Sequence, residues 1–134
     1  MTSTHKFREL KIWQKAIVLA QRTYQLCAGF PADERYGLTS QMRRAAVSIA
    51  SNIAEGAGRG SNKDFSNFIS IATGSTYELE TQFVLAANFS YINAEELLDV
   101  SEQLAELQRM LFGFQRNLST PPTQLGASPL SSKL

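Results

Sequence analysis

The sequence predicts an all-α protein, an antiparallel up-down four-helix bundle with a disordered C-terminal tail, and three observations predict it. Apolar residues recur at alternating steps of three and four, most clearly at Leu97, Val100, Leu104, Leu107, Leu111, Phe114 and Leu118. Such spacing lays an apolar stripe along one helix face, which must be covered by a neighbour. Breaks rich in Gly, Pro and Asn divide the chain into four such segments, and short connections suit antiparallel neighbours. There is no alternation of strand and helix patterns, and no tandem repeat.

The elements follow in order. Residues 1–7 read as a flexible lead-in. The first helix is expected over about 8–28, on the stripe Leu10, Trp13, Ile17, Ala20, Tyr24 and Cys27, and it stops before Gly29, Phe30 and Pro31. A turn spans Pro31 to Gly37. The second helix is expected from Leu38 to Glu55, where Gly56, Gly58 and Gly60 stop it. Ser61 or Asn62 caps the third helix, Asp64 complements its dipole, and the helix extends to about Phe89. Asn93 with Glu96 forms a capping box that opens the fourth helix, which ends near Leu118. The domain is thus 8–118. The tail 119–134, rich in Ser, Thr and Pro and without periodicity, reads as disordered.

A chain of 134 residues suits one domain. No apolar run reaches the roughly 18 residues that span a bilayer, and the N-terminus lacks an apolar signal core. The expected location is the cytoplasm of a bacterial-type cell. The single cysteine, Cys27, has no intramolecular partner to oxidise with and reads as a buried structural thiol. The net charge of +1 is unevenly spread: ten basic against four acidic side chains up to residue 63, three against eight beyond it. Such asymmetry marks either a nucleic-acid or acidic partner, or two surfaces of one protein that attract each other.

The helices carry more apolar surface than a monomeric bundle needs. Ile12, Leu19 and Leu26 lie away from the first helix's main stripe. The third helix places Phe65, Phe68, Ile69, Ala72, Leu79 and Phe83 on one side and Ile71, Gly74, Leu85 and Phe89 on the other. Ile12, Leu19, Leu26, Ile71, Gly74, Leu85 and Phe89 are therefore the expected interface of a homo-oligomer. Arg8, Lys11, Lys15 and Arg22 share one face of the first helix, and Glu95, Asp99, Glu102 and Glu106 one face of the fourth. The basic stripe reads either as a track for a phosphate backbone or as a solvated outer face.

The second helix has a polar face, Gln41, Arg44, Ser48, Asn52 and Glu55, that leads to Arg59, and the third helix offers Ser75, Glu78 and Glu80. Gln41, Arg44, Ser48, Asn52, Glu55, Arg59, Ser75 and Glu78 read as a structural polar network that fixes helix register or subunit geometry. The alternative is a ligand or nucleic-acid site beside the glycine-rich segment. That segment lacks the spacing of a phosphate loop. "LTSQMRRAAVSIASNIAEGAGRGSNKDFSNFISIATGSTYELE", preceded by "LKIW" and "AGFPADERYG", resembles the bacterial four-helix bundle proteins encoded in intervening sequences of 23S ribosomal RNA genes. It also resembles their relative, the accessory variability protein of diversity-generating retroelements. The resemblance covers about residues 7–118. It implies a ring-like homopentamer of four-helix bundles and association with RNA or DNA through basic surface residues. In retroelement relatives it further implies a reverse-transcriptase and RNA partner.

The expected function is thus a non-enzymatic oligomeric accessory factor that binds structured RNA or a ribonucleoprotein. The residues expected to touch it are Arg8, Lys11, Lys15, Arg22, Arg43, Arg44, Arg59 and Lys63. The alternative is a protein–protein scaffold that binds no nucleic acid. No cofactor, metal or membrane is expected. The only histidine, His5, lies in the lead-in, and there is no Glu-x-x-His pair and no Cys/His cluster with zinc spacing.

Overall fold

The computed structural model describes residues 6–119. A 3-10 turn over Phe7–Glu9 leads into α1 (Lys11–Cys27), and a second over Ala32–Glu34 precedes α2 (Leu38–Ala57). Two further helices follow, α3 (Asn62–Asn88) and α4 (Ala94–Ser119). Among the described residues there is no strand. The helices pack as an antiparallel up-down bundle in which each lies against its neighbour in sequence and α1 closes the ring on α4. The expected lead-in and tail fall outside the described residues, save Lys6, Phe7 and Ser119.

Local chemistry sets the boundaries. α1 begins three residues later than the periodicity suggests, because Leu10 is extended (φ −76°, ψ 128°). The turn before it is held by the Gln14 amide, which donates to the Arg8 carbonyl at 2.8 Å, and by the Phe7 ring edge-on to Trp13. The Asp64 N–H donates to the Ser61 hydroxyl, capping α3. The capping box of α4 is reciprocal: the Glu96 N–H donates to the Asn93 side chain at 2.8 Å, and the Asn93 N–H to the Glu96 carboxylate at 2.9 Å. α3 ends in a Schellman motif. The Tyr91 N–H reaches the Ala86 carbonyl and the Ser90 N–H the Ala87 carbonyl, with Ser90 at φ 65° where glycine is usual.

Gly56 does not stop α2. It lies buried inside the helix, which runs on to Ala57. A β-carbon there would sit 2.7 Å from Phe65 Cδ1 and 2.8 Å from Phe68 Cβ. The missing side chain lets α2 and α3 approach, and Ala45, Ala46 and Ala50 are buried along the same helix. α4 buries Val100, Leu104, Leu107, Leu111 and Phe114 as its stripe requires. Gln108 and Gln115 tie α4 to α3, through Thr76 and Glu80 and through Ser66 and Ser70.

One stripe differs from expectation. α1 turns Ile12, Ala16, Leu19, Thr23, Leu26 and Cys27 into the core, leaving Trp13, Ile17 and Ala20 half-buried at its flank and Tyr24 exposed. Ile12, Leu19 and Leu26 therefore pack within the protomer and cannot face another copy, which corrects their place in the expected interface. Ala16 and Thr23 complete a heptad whose apolar character the sequence understates. The Thr23 hydroxyl donates to the Leu19 carbonyl at 2.8 Å, so its burial leaves no donor unpaired.

Candidate functional site

Half of the basic face of α1 is occupied. Lys15 pairs with Glu106 at 3.1 Å and Arg22 with Asp99 at 3.0 Å. The basic stripe of α1 and the acidic stripe of α4 thus meet across a seam of one protomer. Lys15 and Arg22 spend their charge there. Arg59 pairs with Glu55 at 3.5 Å and lies over the Phe68 ring. Of the eight cations expected to touch nucleic acid, Arg8, Lys11, Arg43, Arg44 and Lys63 make no ion pair among the described residues.

The polar face of α2 divides into two unconnected parts. The hydroxyls of Ser48 and Ser75 share a hydrogen bond at 2.9 Å, and the Asn52 amide donates to the carbonyl and hydroxyl of Ser48. This trio links α2 to α3 midway along the bundle. The Glu55–Arg59 pair lies apart on the surface. The structure brings Gln41, Arg44 and Glu78 into neither part: Gln41 and Arg44 are exposed, and Glu78 accepts only a 3.5 Å hydrogen bond from Gln82.

Arg8, Lys11 and Lys63 lie outside any shared site, whereas Arg43 and Arg44 meet Arg35 at the junction of α1, the inter-helix turn and α2. There an open groove of about 610 Å³ is lined by Tyr24, Arg35, Tyr36, Ser40, Arg43, Arg44, Val47 and Ser48. It holds three guanidinium groups and no carboxylate. Arg43 lies over the Tyr24 ring, 4.9 Å from its centre, and its Nε is buried without a partner among the described residues. Tyr36 is 88% exposed. Glu34, next in sequence to Arg35, is engaged elsewhere: one carboxylate oxygen accepts from the Leu38 N–H and the other from the Tyr91 hydroxyl at 2.7 Å. The Leu38 bond foremost, then the Tyr91 bond, holds its carboxyl below the usual carboxylate range, and the bond to Glu34 raises the Tyr91 hydroxyl above its ordinary value. Sequence reasoning misses Arg35, Tyr36 and Tyr24 as members of this site. A signal is present in "ERYG", a cation beside an aromatic at a helix junction, but taken alone that segment reads only as a turn.

Cys27 is buried. Burial pushes its thiol up to about 11, against a smaller opposing pull from Arg43, so at neutral pH it is not a nucleophile. Of the expected interface, Ile71, Leu85 and Phe89 are exposed on α3, and a β-carbon at Gly74 would meet nothing within 4 Å. Tyr77 and Val84 extend this apolar row.

Fold and groove define a class: an up-down four-helix bundle with a basic, aromatic-lined surface groove. Over residues 8–113 the sequence matches the 23S rRNA-intervening sequence protein family, and the chain belongs to that family. A crystal structure from Bacteroides thetaiotaomicron, described as a protein with unknown function from the S23 ribosomal protein family, has the same fold. It superposes with a TM-score of 0.71 at 23% identity, over 78% of this chain and 98% of that one. No curated protein sequence matches.

Proposed function

We propose that the protein is a non-enzymatic, self-associating helical bundle that binds structured RNA, alone or within a ribonucleoprotein, from the α1–α2 side. The observation that carries this reading is the groove with three arginines and no carboxylate, on a bundle where Lys15, Arg22 and Arg59 are each paired with a carboxylate. An uncompensated cationic surface attracts a phosphate backbone and releases its counterions. The family's name points to ribosomal RNA genes as the setting. A cytoplasmic location accords with helices none of which is long and apolar enough to cross a membrane, among the described residues.

The exposed apolar row on α3 supports self-association, with five copies the number expected. The same row favours a second reading, a protein scaffold without nucleic acid. One experiment separates the two. Nuclease-treated protein is titrated with structured RNA at low and near-physiological salt. Binding that falls steeply with salt supports the RNA reading, and no binding at low salt leaves the scaffold. Native mass of Ile71→Asp tests the interface, since Ile71 is 52% exposed and its replacement spares the core. A lowered mass supports assembly through this row.

A further inference from the structure

We propose that the α1–α2 groove holds one unpaired nucleotide of an RNA strand, its base stacked on Tyr36 and its phosphate bound by Arg35 and Arg44. This rests on the RNA-binding reading and narrows it from structured RNA to the unpaired bases within it. Charge excludes most other ligands. Three guanidiniums line the groove without a carboxylate, and Glu34 spends both its oxygens on Leu38 and Tyr91. The occupant is therefore an anion, and guanidinium forks match phosphate oxygens.

The aromatic residues make the occupant more than an anion. The Tyr24 ring already carries Arg43 at 4.9 Å, and the Arg43 Nε is buried, so this guanidinium is held in place before any ligand arrives. Tyr36 has no such occupation. At 88% exposure it leaves a large π-surface in water at the groove's rim. Every base can stack on such a face, but only when it is out of a duplex. A duplex offers phosphates to the arginines and nothing to Tyr36. The groove's size, about 610 Å³, suits a small ligand such as one nucleotide.

The test uses the full chain, nuclease-treated, with two labelled probes in fluorescence anisotropy: an oligouridine, and a fully paired RNA duplex with the same number of phosphates. Oligouridine should bind more tightly. Tyr36→Ala should weaken oligouridine about tenfold and leave the duplex unchanged, while Tyr36→Phe retains wild-type affinity. Arg35→Ala with Arg44→Ala should flatten the salt dependence for oligouridine by about 0.7 in the log–log slope, for the one phosphate left without its arginines. Tyr36 and Arg35 are exposed, so thermal melts should match wild type. Equal binding of both probes, or an unaltered Tyr36→Ala, would overturn the nucleotide site while leaving RNA binding intact. Absence of binding by either probe at low salt would remove both. Displacement by uridine monophosphate at matching phosphate concentration would assign the groove to a free nucleotide instead.

Discussion

Gly56 and Gly74 both sit inside α-helices, and the structure assigns their replacement by alanine opposite signs. Removing a helical glycine gains about 1 kcal/mol, because alanine loses less backbone freedom on folding. At Gly74 a β-carbon meets nothing within 4 Å, so the whole gain should appear. Unfolding entropy is about 2.1 cal/mol/K per residue, or about 0.24 kcal/mol/K for residues 6–119, so Gly74→Ala should raise the melting temperature by about 4 °C. At Gly56 the same carbon falls 2.7 Å from Phe65 Cδ1 and 2.8 Å from Phe68 Cβ. Neither neighbour can yield easily. The Phe65 ring is buried and lies edge-on to Phe114 at 5.1 Å, and Phe68 Cβ moves only with the α3 backbone.

Overpacking of this kind costs about 1–3 kcal/mol, and two simultaneous clashes place it at the upper end. Subtracting the propensity gain leaves a loss of about 2 kcal/mol, or about 8 °C. Thermal unfolding followed by circular dichroism measures both variants. Gly56→Ala melting at or above wild type would refute the argument that close approach at Gly56 sets the α2–α3 spacing. Native mass adds a second reading at Gly74. A more stable protomer with a smaller assembly would place Gly74 against another copy, whereas unchanged mass would remove it from the interface.

Leu19→Ala should lose about 3 kcal/mol, about 12 °C, because the side chain is 1% exposed in the core. That loss should not vary over about a hundredfold range of protein concentration, and a loss that emerges only on dilution would return Leu19 to the interface. Ser90→Gly should stabilise the bundle by about 0.5–1 kcal/mol by relieving the left-handed backbone at φ 65°, and an unchanged melt would show that Ser90 bears no strain. The Glu34 carboxyl is held low in the folded state, so its contribution is complete above the unfolded value of about 4.3 and is lost as pH falls through the folded one. Urea midpoints taken on either side of that window should fall more in wild type than in Glu34→Gln, and parallel curves would count against it. Lys15→Glu with Arg22→Glu should lower stability by about 1–2 kcal/mol by breaking two pairs and setting like charges together, with little effect on RNA affinity. A large drop in RNA binding at unchanged stability would restore the α1 stripe as an RNA-binding face.

The fold was legible wherever chemistry was local. Asn93 and Glu96 form the box that their spacing implies, and the α4 stripe, built of leucines, a valine and a phenylalanine, leaves one way to face the core. On α1 the same reasoning selects the wrong face. Trp13, Ile17 and Tyr24 are larger than Ala16 and Thr23, yet the smaller residues are buried and Tyr24 is exposed. Packing favours the stripe that lets helices approach, and Thr23 satisfies its hydroxyl within its own turn. The site was less legible because its state depends on partners remote in sequence. Lys15 meets a carboxylate 91 positions away and Arg22 one 77 positions away. A row of cations on one helix says nothing about what stands opposite.

The charge imbalance between the halves of the chain therefore has two outlets. One is internal: acids of α4 neutralise cations of α1 along their shared seam. Each exposed pair adds little stability, but together they help specify which helices are neighbours. The other outlet is the opposite edge of α1, where Tyr24 meets α2 and Arg35, Arg43 and Arg44 have no carboxylate beside them. Beyond Arg8 and Lys11, positive surface thus lies at the corner past the helix whose stripe suggests it. Arg35 and Arg44, both exposed, can change without loosening a seam, whereas Arg43 packs on the Tyr24 ring between α2 and α1. This corner also puts the free charge beside exposed aromatics, where phosphate attraction and base stacking can act on the same strand.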